Sequence, residues 1–161
     1  MKGMLMIWLV LRIADASVNI DNKISIIFPG SPERSAMSDK VYYMYSTDKF
    51  VYNAAYTDLK IDLHTTSSSE QQDKIYAGFI KGALDAATNS KLLSQRDIHI
   101  KKHPGREITY IKRFDKSDNV KIVKRIILLN KRLYQFELWA LNGQMDQSKL
   151  DKFFNSIKIN E

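Results

Sequence analysis

The stretch from Arg106 to Leu141 decides the fold and reads REITYIKRFDKSDNVKIVKRIILLNKRLYQFELWAL. It contains three apolar-rich runs separated by short breaks: Arg106–Arg113, Val120–Leu129 and Leu133–Leu141. Short runs rich in β-branched and aromatic residues are typical of strands. The last two runs are joined by the polar segment Asn130-Lys131-Arg132, which is typical of a turn between antiparallel neighbours. The stretch therefore predicts a meander of three antiparallel strands.

The elements outside this stretch predict an α+β fold. In chain order they are a strand at Lys23–Phe28, a hairpin of Val41–Ser46 and Phe50–Thr57, a helix from Ser67 to Ala87, a strand at Lys91–Ile100, a turn at His103–Gly105, a C-terminal helix that begins after Asp146, and a last short strand at Ser156–Ile159. Strands and helices in this order predict one antiparallel sheet flanked by helices.

The first helix is predicted from its capping residues and its apolar spacing. Ser67 and Glu70 have the spacing of a capping box, in which each side chain satisfies a free backbone amide. Asn89 is a typical left-handed helix stop. Apolar residues recur every three or four positions and predict a buried stripe. The stripe is Ile75, Phe79, Ala83 and Ala86.

The composition is that of one folded domain without cysteine chemistry. The 161 residues are 44% apolar and 27% charged, which suffices for one hydrophobic core. Cysteine is absent, and this excludes disulfides, thiolate nucleophiles, iron–sulfur clusters and cysteine-based zinc sites. A lipoprotein anchor is not expected either, because its lipid is carried on a cysteine.

Residues 1–16 predict a signal peptide. Lys2 precedes the apolar run Met4–Leu11, and Ala14-Asp15-Ala16 places small residues at the two positions that a signal peptidase reads. Residues 17–161 would then form a single domain in the periplasm or outside the cell. The alternative is that Met4–Leu11 is a buried first strand of a cytoplasmic domain. A bilayer-spanning helix needs about 20 apolar residues, so no transmembrane segment is expected in the mature chain.

A set of turn and core motifs is spread from about Ile24 to Ile159. They are Phe28-Pro29-Gly30-Ser31-Pro32, Tyr43 with Tyr45, Ala54-Ala55-Tyr56-Thr57-Asp58, Pro104-Gly105-Arg106-Glu107, Arg125-Ile126 and Asn130-Lys131-Arg132-Leu133-Tyr134-Gln135. Together they resemble exported bacterial proteins of the PsbP-like (Mog/PsbP) fold family. The resemblance implies an antiparallel sheet sandwiched by helices, an extracytoplasmic location and no catalytic residues. PsbP proteins assist a metal-containing photosystem and the Mog protein binds a GTPase, so the resemblance implies binding or assembly work without identifying the partner.

Basic residues concentrate in the meander, where residues 101–134 hold eleven Lys or Arg against three acidic residues. The candidate basic patch is Arg106, Lys121, Lys124, Arg125, Lys131 and Arg132. Clustered cations attract phosphates, anionic lipid or an acidic protein, so the first alternative function is a cytoplasmic module that binds nucleic acid or an acidic protein. The other interpretation is a solvated sheet whose lysines block edge pairing. Strand alternation puts Lys121 and Arg125 on the face opposite Lys124, and no nucleic-acid motif occurs, so nucleic acid is not the favoured partner.

Tyrosines concentrate in the predicted hairpin and form a second candidate site. The candidate binding face is Tyr43, Tyr45, Tyr52 and Tyr56. Tyrosine rings on a sheet can line a groove for a small molecule, a peptide or a sugar. The alternative is that these are ordinary half-buried strand residues.

Catalytic and metal-binding patterns are weak. Glu107 as a general acid, the second alternative function, would need another carboxylate or a histidine brought close by the fold. Asp62 and His64, with His99 and His103, do not have the spacing of a metal site and are interpreted as loop residues. No phosphate loop or nucleophile elbow occurs. The sequence therefore predicts a non-enzymatic extracytoplasmic binding or assembly module without a cofactor, whose partner is a protein or a small molecule of the cell envelope.

Overall fold

The computed structural model describes residues 14–60, 69–85, 89–114 and 119–160. This part of the chain contains ten strands and two helices. The strands are β1 (Ala16–Asn19), β2 (Ile24–Phe28), β3 (Glu33–Met37), β4 (Lys40–Ser46), β5 (Phe50–Asp58), β6 (Lys91–Ile100), β7 (His103–Arg113), β8 (Asn119–Leu129), β9 (Arg132–Ala140) and β10 (Lys158–Ile159). The helices are α1 (Ser69–Asp85) and α2 (Gln147–Asn155).

Seven strands form an antiparallel main sheet in the order β3-β4-β5-β9-β8-β7-β6. The predicted meander is confirmed, because β7, β8 and β9 are consecutive neighbours in this sheet. The predicted hairpin is also confirmed as β4 and β5. β5 then pairs with β9, so β8 and β9 lie inside the sheet with neighbours on both sides. Most of their residues are buried on both faces, which means that each face needs a covering layer.

Helices cover both faces of the main sheet, and the predicted α+β fold is confirmed. One face packs against α2, whose Phe153 ring meets Phe28 and Tyr52 edge to face at centroid distances of 5.5 and 5.2 Å. The opposite face packs against α1 through Tyr76 and Ile80. The two faces therefore carry two separate clusters of buried side chains.

A second sheet, of order β1-β2-β10, completes the layer that contains α2. The sequence predicted a single sheet. β2 was predicted, and β10 lies within the predicted last strand Ser156–Ile159, whereas β1 was not predicted; β1 has four residues and β10 has two. Segments of that length carry almost no alternation, so their pairing with β2 depends on the fold and not on a local pattern.

Two predicted turns are shifted in the structure. The prediction of a turn at His103–Gly105 is wrong. The chain reverses at Lys101-Lys102, where Lys101 has φ 54°, and β7 begins at His103. Gly105 lies inside the sheet, where a Cβ atom would come within 2.6 Å of the Ile126 carbonyl oxygen, so the glycine permits close strand approach. The turn after β8 has two residues, not three, because Arg132 pairs with Leu129 in the ladder.

The helices agree with the predictions except for the buried stripe of α1. Asp146 caps α2 by accepting a hydrogen bond from the Lys149 amide at 3.2 Å, and Asn89 is left-handed with φ 79°. The buried residues of α1 are Tyr76 and Ile80, not the predicted stripe, whose members Ile75, Phe79 and Ala83 are half-buried. The cap residue Ser67 and the stripe residue Ala86 lie outside the described residues.

The predicted leader lies almost wholly outside the described residues. Met4–Leu11 is not described, and Ala16 begins β1 by pairing with Phe28. None of the helices in the described ranges has the length and apolar character needed to cross a membrane.

A polar clamp joins the β1–β2 turn to the main sheet. The carboxylate of Asp21 accepts hydrogen bonds from the Tyr134 hydroxyl, from Arg132 Nη1 at 2.7 Å and from the amides of Lys23 and Ile24 at 2.7 and 2.9 Å. Partial burial acts to raise the pKa of Asp21, but these hydrogen bonds lower it by more, so the pKa lies below its ordinary value of 3.8.

We expect Asp21→Asn to reduce the free energy of unfolding at pH 7 by about 1–3 kcal/mol, because a charged acceptor with several donors is lost. Since the pKa of Asp21 is lower in the folded state, its stabilisation is complete above the unfolded pKa and is lost as the pH falls through the folded value. Urea unfolding at pH 7 and at pH 3 should show a smaller difference between wild type and variant at pH 3. The exposed Asp48→Asn is the control, and an equal loss at both pH values would contradict the prediction.

Candidate functional site

A cavity of about 640 Å³ lies between α1 and the main sheet, and we call it the α1 cavity. The helix contributes Lys74, Ile75, Gly78, Phe79, Gly82 and Ala83. The sheet and the end of β5 contribute Lys40, Thr57, Leu59, Lys124 and Gln135. A volume of this size with a mostly apolar wall and a few polar groups is typical of small-molecule sites.

The hydrogen bonds and the ion pair that join α1 to β7 and β8 lie to one side of the cavity. The Tyr76 hydroxyl donates to the Pro104 carbonyl and accepts from the Leu128 amide, both at 3.0 Å, and Arg106 forms an ion pair with Asp73. These contacts hold the helix over β7 and β8. On the side toward β4 and β5 the helix presents Gly78 and Gly82, and a Cβ atom at either position would meet no described residue within 4 Å. The space beside the helix therefore stays open.

The floor of the α1 cavity contains a buried ion pair. Lys124 of β8 and Glu137 of β9 are directly opposite each other in the ladder, and Nζ lies 2.7 Å from Oε1. Both side chains are 9% exposed. Lys124 Nζ also donates to Gln135 Oε1 at 3.2 Å. A buried charge needs such partners, and here they fix the Lys124 ammonium at the bottom of the cavity.

Glu137 is the centre of this polar group. It accepts hydrogen bonds from Trp139 Nε1 at 2.7 Å and from Asn53 Nδ2 at 3.4 Å. Burial acts to raise the pKa of Glu137, but the charge of Lys124 and the hydrogen bonds lower it by more, so the carboxylate is ionised at neutral pH. The Asn53 Oδ1 atom is buried and has no hydrogen-bond partner among the described residues.

The predicted tyrosine face lies on the opposite side of the main sheet from the α1 cavity. Tyr52 is buried at 4% exposure, and Tyr43, Tyr45 and Tyr56 are half-buried against the same core cluster. The layer of α2 and the small sheet covers this part of the sheet. The structure thus brings the four tyrosines together in a packed layer.

The predicted basic patch is divided between the two faces and one turn. Arg125 contacts Glu107 and lies over the Phe154 ring, whereas Lys124 and Arg106 point toward α1. Arg132 pairs with Asp21 and Asp58 and lies over the Tyr56 ring at 4.2 Å. The remaining two, Lys121 and Lys131, lie on β8 and in the turn that follows it. Four of the six cations are therefore held in ion pairs within the domain.

The other predicted candidates are placed as follows. Glu107 is buried at 7% exposure between Arg96 and Arg125, at 2.6 Å from each guanidinium. His99 and His103 lie at the β6–β7 turn. Asp62 and His64 lie outside the described residues. Among the residues that the structure describes, no group of three or more histidine or acidic side chains could hold a metal ion.

Sequence reasoning did not identify the α1 cavity, although two signals pointed toward it. Gly78 and Gly82 lie in a helix interior, where glycine is unfavourable, so a structural reason for them was to be expected. Lys124 lies between Ile122 and Ile126 on one face of a strand, which marks a charge on an apolar surface. Neither signal predicts how far the helix lies from the sheet, so the cavity could not be inferred from them.

The comparisons with known proteins show a shared fold. The solution structure of cyanobacterial PsbP (CyanoP) from Synechocystis sp. PCC 6803 matches with a TM-score of 0.61 at 10% identity, over 96% of this chain and 97% of that one. The crystal structure of LpqN, involved in cell envelope biogenesis of Mycobacterium tuberculosis, matches with a TM-score of 0.53 at 10% identity, over 91% of both chains. No family model and no curated protein matches the sequence. The protein therefore has a PsbP-like fold, and at this identity the likeness concerns the fold alone.

We expect Lys124→Met to reduce the free energy of unfolding by about 3–5 kcal/mol, because Glu137 would remain as an uncompensated buried charge. The double variant Lys124→Met/Glu137→Gln should recover at least half of this loss, since no charge is then buried and the introduced amide oxygen can still accept from Trp139. Urea unfolding of both single variants and of the double variant closes a double-mutant cycle. Additive losses would show that the two side chains are not coupled.

Proposed function

We propose that the protein is a non-enzymatic extracytoplasmic binding module that holds a small, mainly apolar molecule in the α1 cavity. The observation that carries the proposal is the cavity itself, a space of about 640 Å³ between α1 and the main sheet. Ile75, Phe79 and Leu59 give it an apolar wall that water covers at a cost in free energy. An apolar ligand that replaces this water removes apolar surface from solvent, and this contributes favourably to the free energy of binding.

The polar groups of the cavity support binding rather than chemistry. Lys124 is the buried amine of the floor, and its charge is held by Glu137 and Gln135. Lys124 and the ionised carboxylate of Glu137 form an ion pair, in which the lysine serves as a hydrogen-bond donor. An ammonium group fixed in this way supplies hydrogen bonds that orient a ligand.

The extracytoplasmic part of the proposal is supported by the N-terminal sequence. Lys2, the apolar run Met4–Leu11 and the small residues around Ala16 have the order of a signal peptide. LpqN, which shares the fold, is involved in cell envelope biogenesis, and an envelope location for this chain would agree with that role.

We expect the neutral fluorophore N-phenyl-1-naphthylamine to bind the wild-type protein at a single saturable site, with increased emission. Gly78→Leu should weaken this binding at least tenfold, because its side chain enters open cavity space. The matched control is Gly78→Ala, which should keep the binding and raise the free energy of unfolding by about 0.5–1 kcal/mol as a helix-favouring change. Equal dye binding by Gly78→Leu and Gly78→Ala would show that the dye binds outside the cavity and would contradict the proposal.

Expression of the full chain in a Gram-negative host tests the location. We expect protein from the periplasmic fraction to have an intact mass that lacks Met1–Ala16. Removal of these residues would leave Ser17, Val18 and Asn19 of β1 to pair with β2. An uncleaved chain found in the cytoplasm would overturn the extracytoplasmic assignment and leave the cavity proposal intact.

A further inference from the structure

We propose that the ligand of the α1 cavity is an amphipathic anion, with an apolar chain against α1 and a carboxylate or phosphate head group at the lysines of the cavity. This inference rests on the proposed function and specifies its ligand class.

Every charged side chain that lines the cavity among the described residues is a cation. These side chains are Lys40, Lys74 and Lys124, and no described aspartate or glutamate joins them in the lining. Lys124 is paired with the buried Glu137 and Lys74 with the exposed Glu70, so Lys40 is the lining cation without an ion pair to a described residue. An anion that enters the cavity therefore meets positive potential, whereas a cation would be repelled.

Lys40 and Lys74 are available to a ligand. Lys40 at the start of β4 forms no ion pair with any described residue. Lys74 of α1 pairs with Glu70 one helical turn away at 2.8 Å, but the two side chains are 74% and 78% exposed. Exposed pairs of this kind contribute little stability, so a ligand anion can replace Glu70 at low cost.

The hydrogen-bond donors of Lys124 also suit a ligand whose head group accepts hydrogen bonds. A lysine ammonium has three N–H donors, and Lys124 uses one for Glu137 and one for Gln135. The third donor of Lys124 is left for a ligand. Carboxylate and phosphate groups accept several charge-assisted hydrogen bonds at once, whereas a hydroxyl has two acceptor lone pairs and an ammonium group has none.

The apolar part of the ligand has a defined place. Gly78 and Gly82 lie one turn apart along α1, with Ile75 and Phe79 beside them. Without side chains at the two glycines, the helix surface forms a strip on which an extended hydrocarbon chain can lie between helix and sheet. A chain along this strip would place its head group near one end, where Lys74 precedes Gly78 by one turn.

The test is isothermal titration of the full domain at low salt with four probes that each carry a ten-carbon chain: decanoate, decyl phosphate, decanol and decyltrimethylammonium. We expect both anions to bind at least tenfold more tightly than decanol, and decanol more tightly than the cation. Lys40→Gln and Lys74→Gln should each reduce the preference for the anions about threefold, and together to near the level of decanol, without weakening decanol. Lys81→Gln, an exposed change on α1 outside the cavity lining, is the matched control.

The outcomes separate this inference from the proposed function. Equal binding of decanoate and decanol, or an unchanged preference in Lys40→Gln/Lys74→Gln, overturns the anionic ligand and leaves an apolar site. Preferred binding of the cation overturns it as well. If no probe binds and the naphthylamine dye also fails, both proposals are wrong. Tighter binding of decyl phosphate than decanoate, or the reverse, supports the inference and identifies the head group.

Discussion

The burial of β8 and β9 on both faces is the constraint on which the rest of the structure depends. These strands lie inside the main sheet, and successive residues such as Ile126 and Ile127 are fully buried on opposite sides. Apolar surface of this extent is stable only when both faces are removed from water. The chain covers one face with α2 and a second sheet, and the other with α1. The layered architecture follows from this requirement.

The layer that contains α2 covers its face of the main sheet more completely than α1 covers the opposite face, and this difference creates the candidate site. Phe153 and Phe154 fill the layer on the α2 side with ring contacts, and the clamp at Asp21 joins that layer to the β8–β9 turn. On the other side α1 buries only Tyr76 and Ile80. Beside the helix this leaves a solvent-accessible cavity of about 640 Å³, a volume that can hold a small molecule.

The buried Lys124–Glu137 pair agrees with this interpretation. Removing two charges from water costs free energy that their attraction only partly offsets, so apolar residues at both positions would stabilise the sheet at least as well. The pair is better explained by what it presents to the cavity, an ammonium group held in one position. The shared PsbP-like fold does not supply this explanation, because relatives at 10% identity need not share a site.

The sequence by itself determined the meander, the β4–β5 hairpin, both helices and the left-handed Asn89, because alternation, capping and turn chemistry are local properties. It did not determine the second sheet, since the two residues of β10 pair with β2 across most of the chain. The turn between β8 and β9 has two residues instead of the predicted three, and this length sets the register that places Lys124 opposite Glu137. A register shift of one residue would exchange the two faces of a strand. The cavity was decided by tertiary structure alone, because the distance between α1 and the sheet depends on packing at Tyr76 and not on any local pattern.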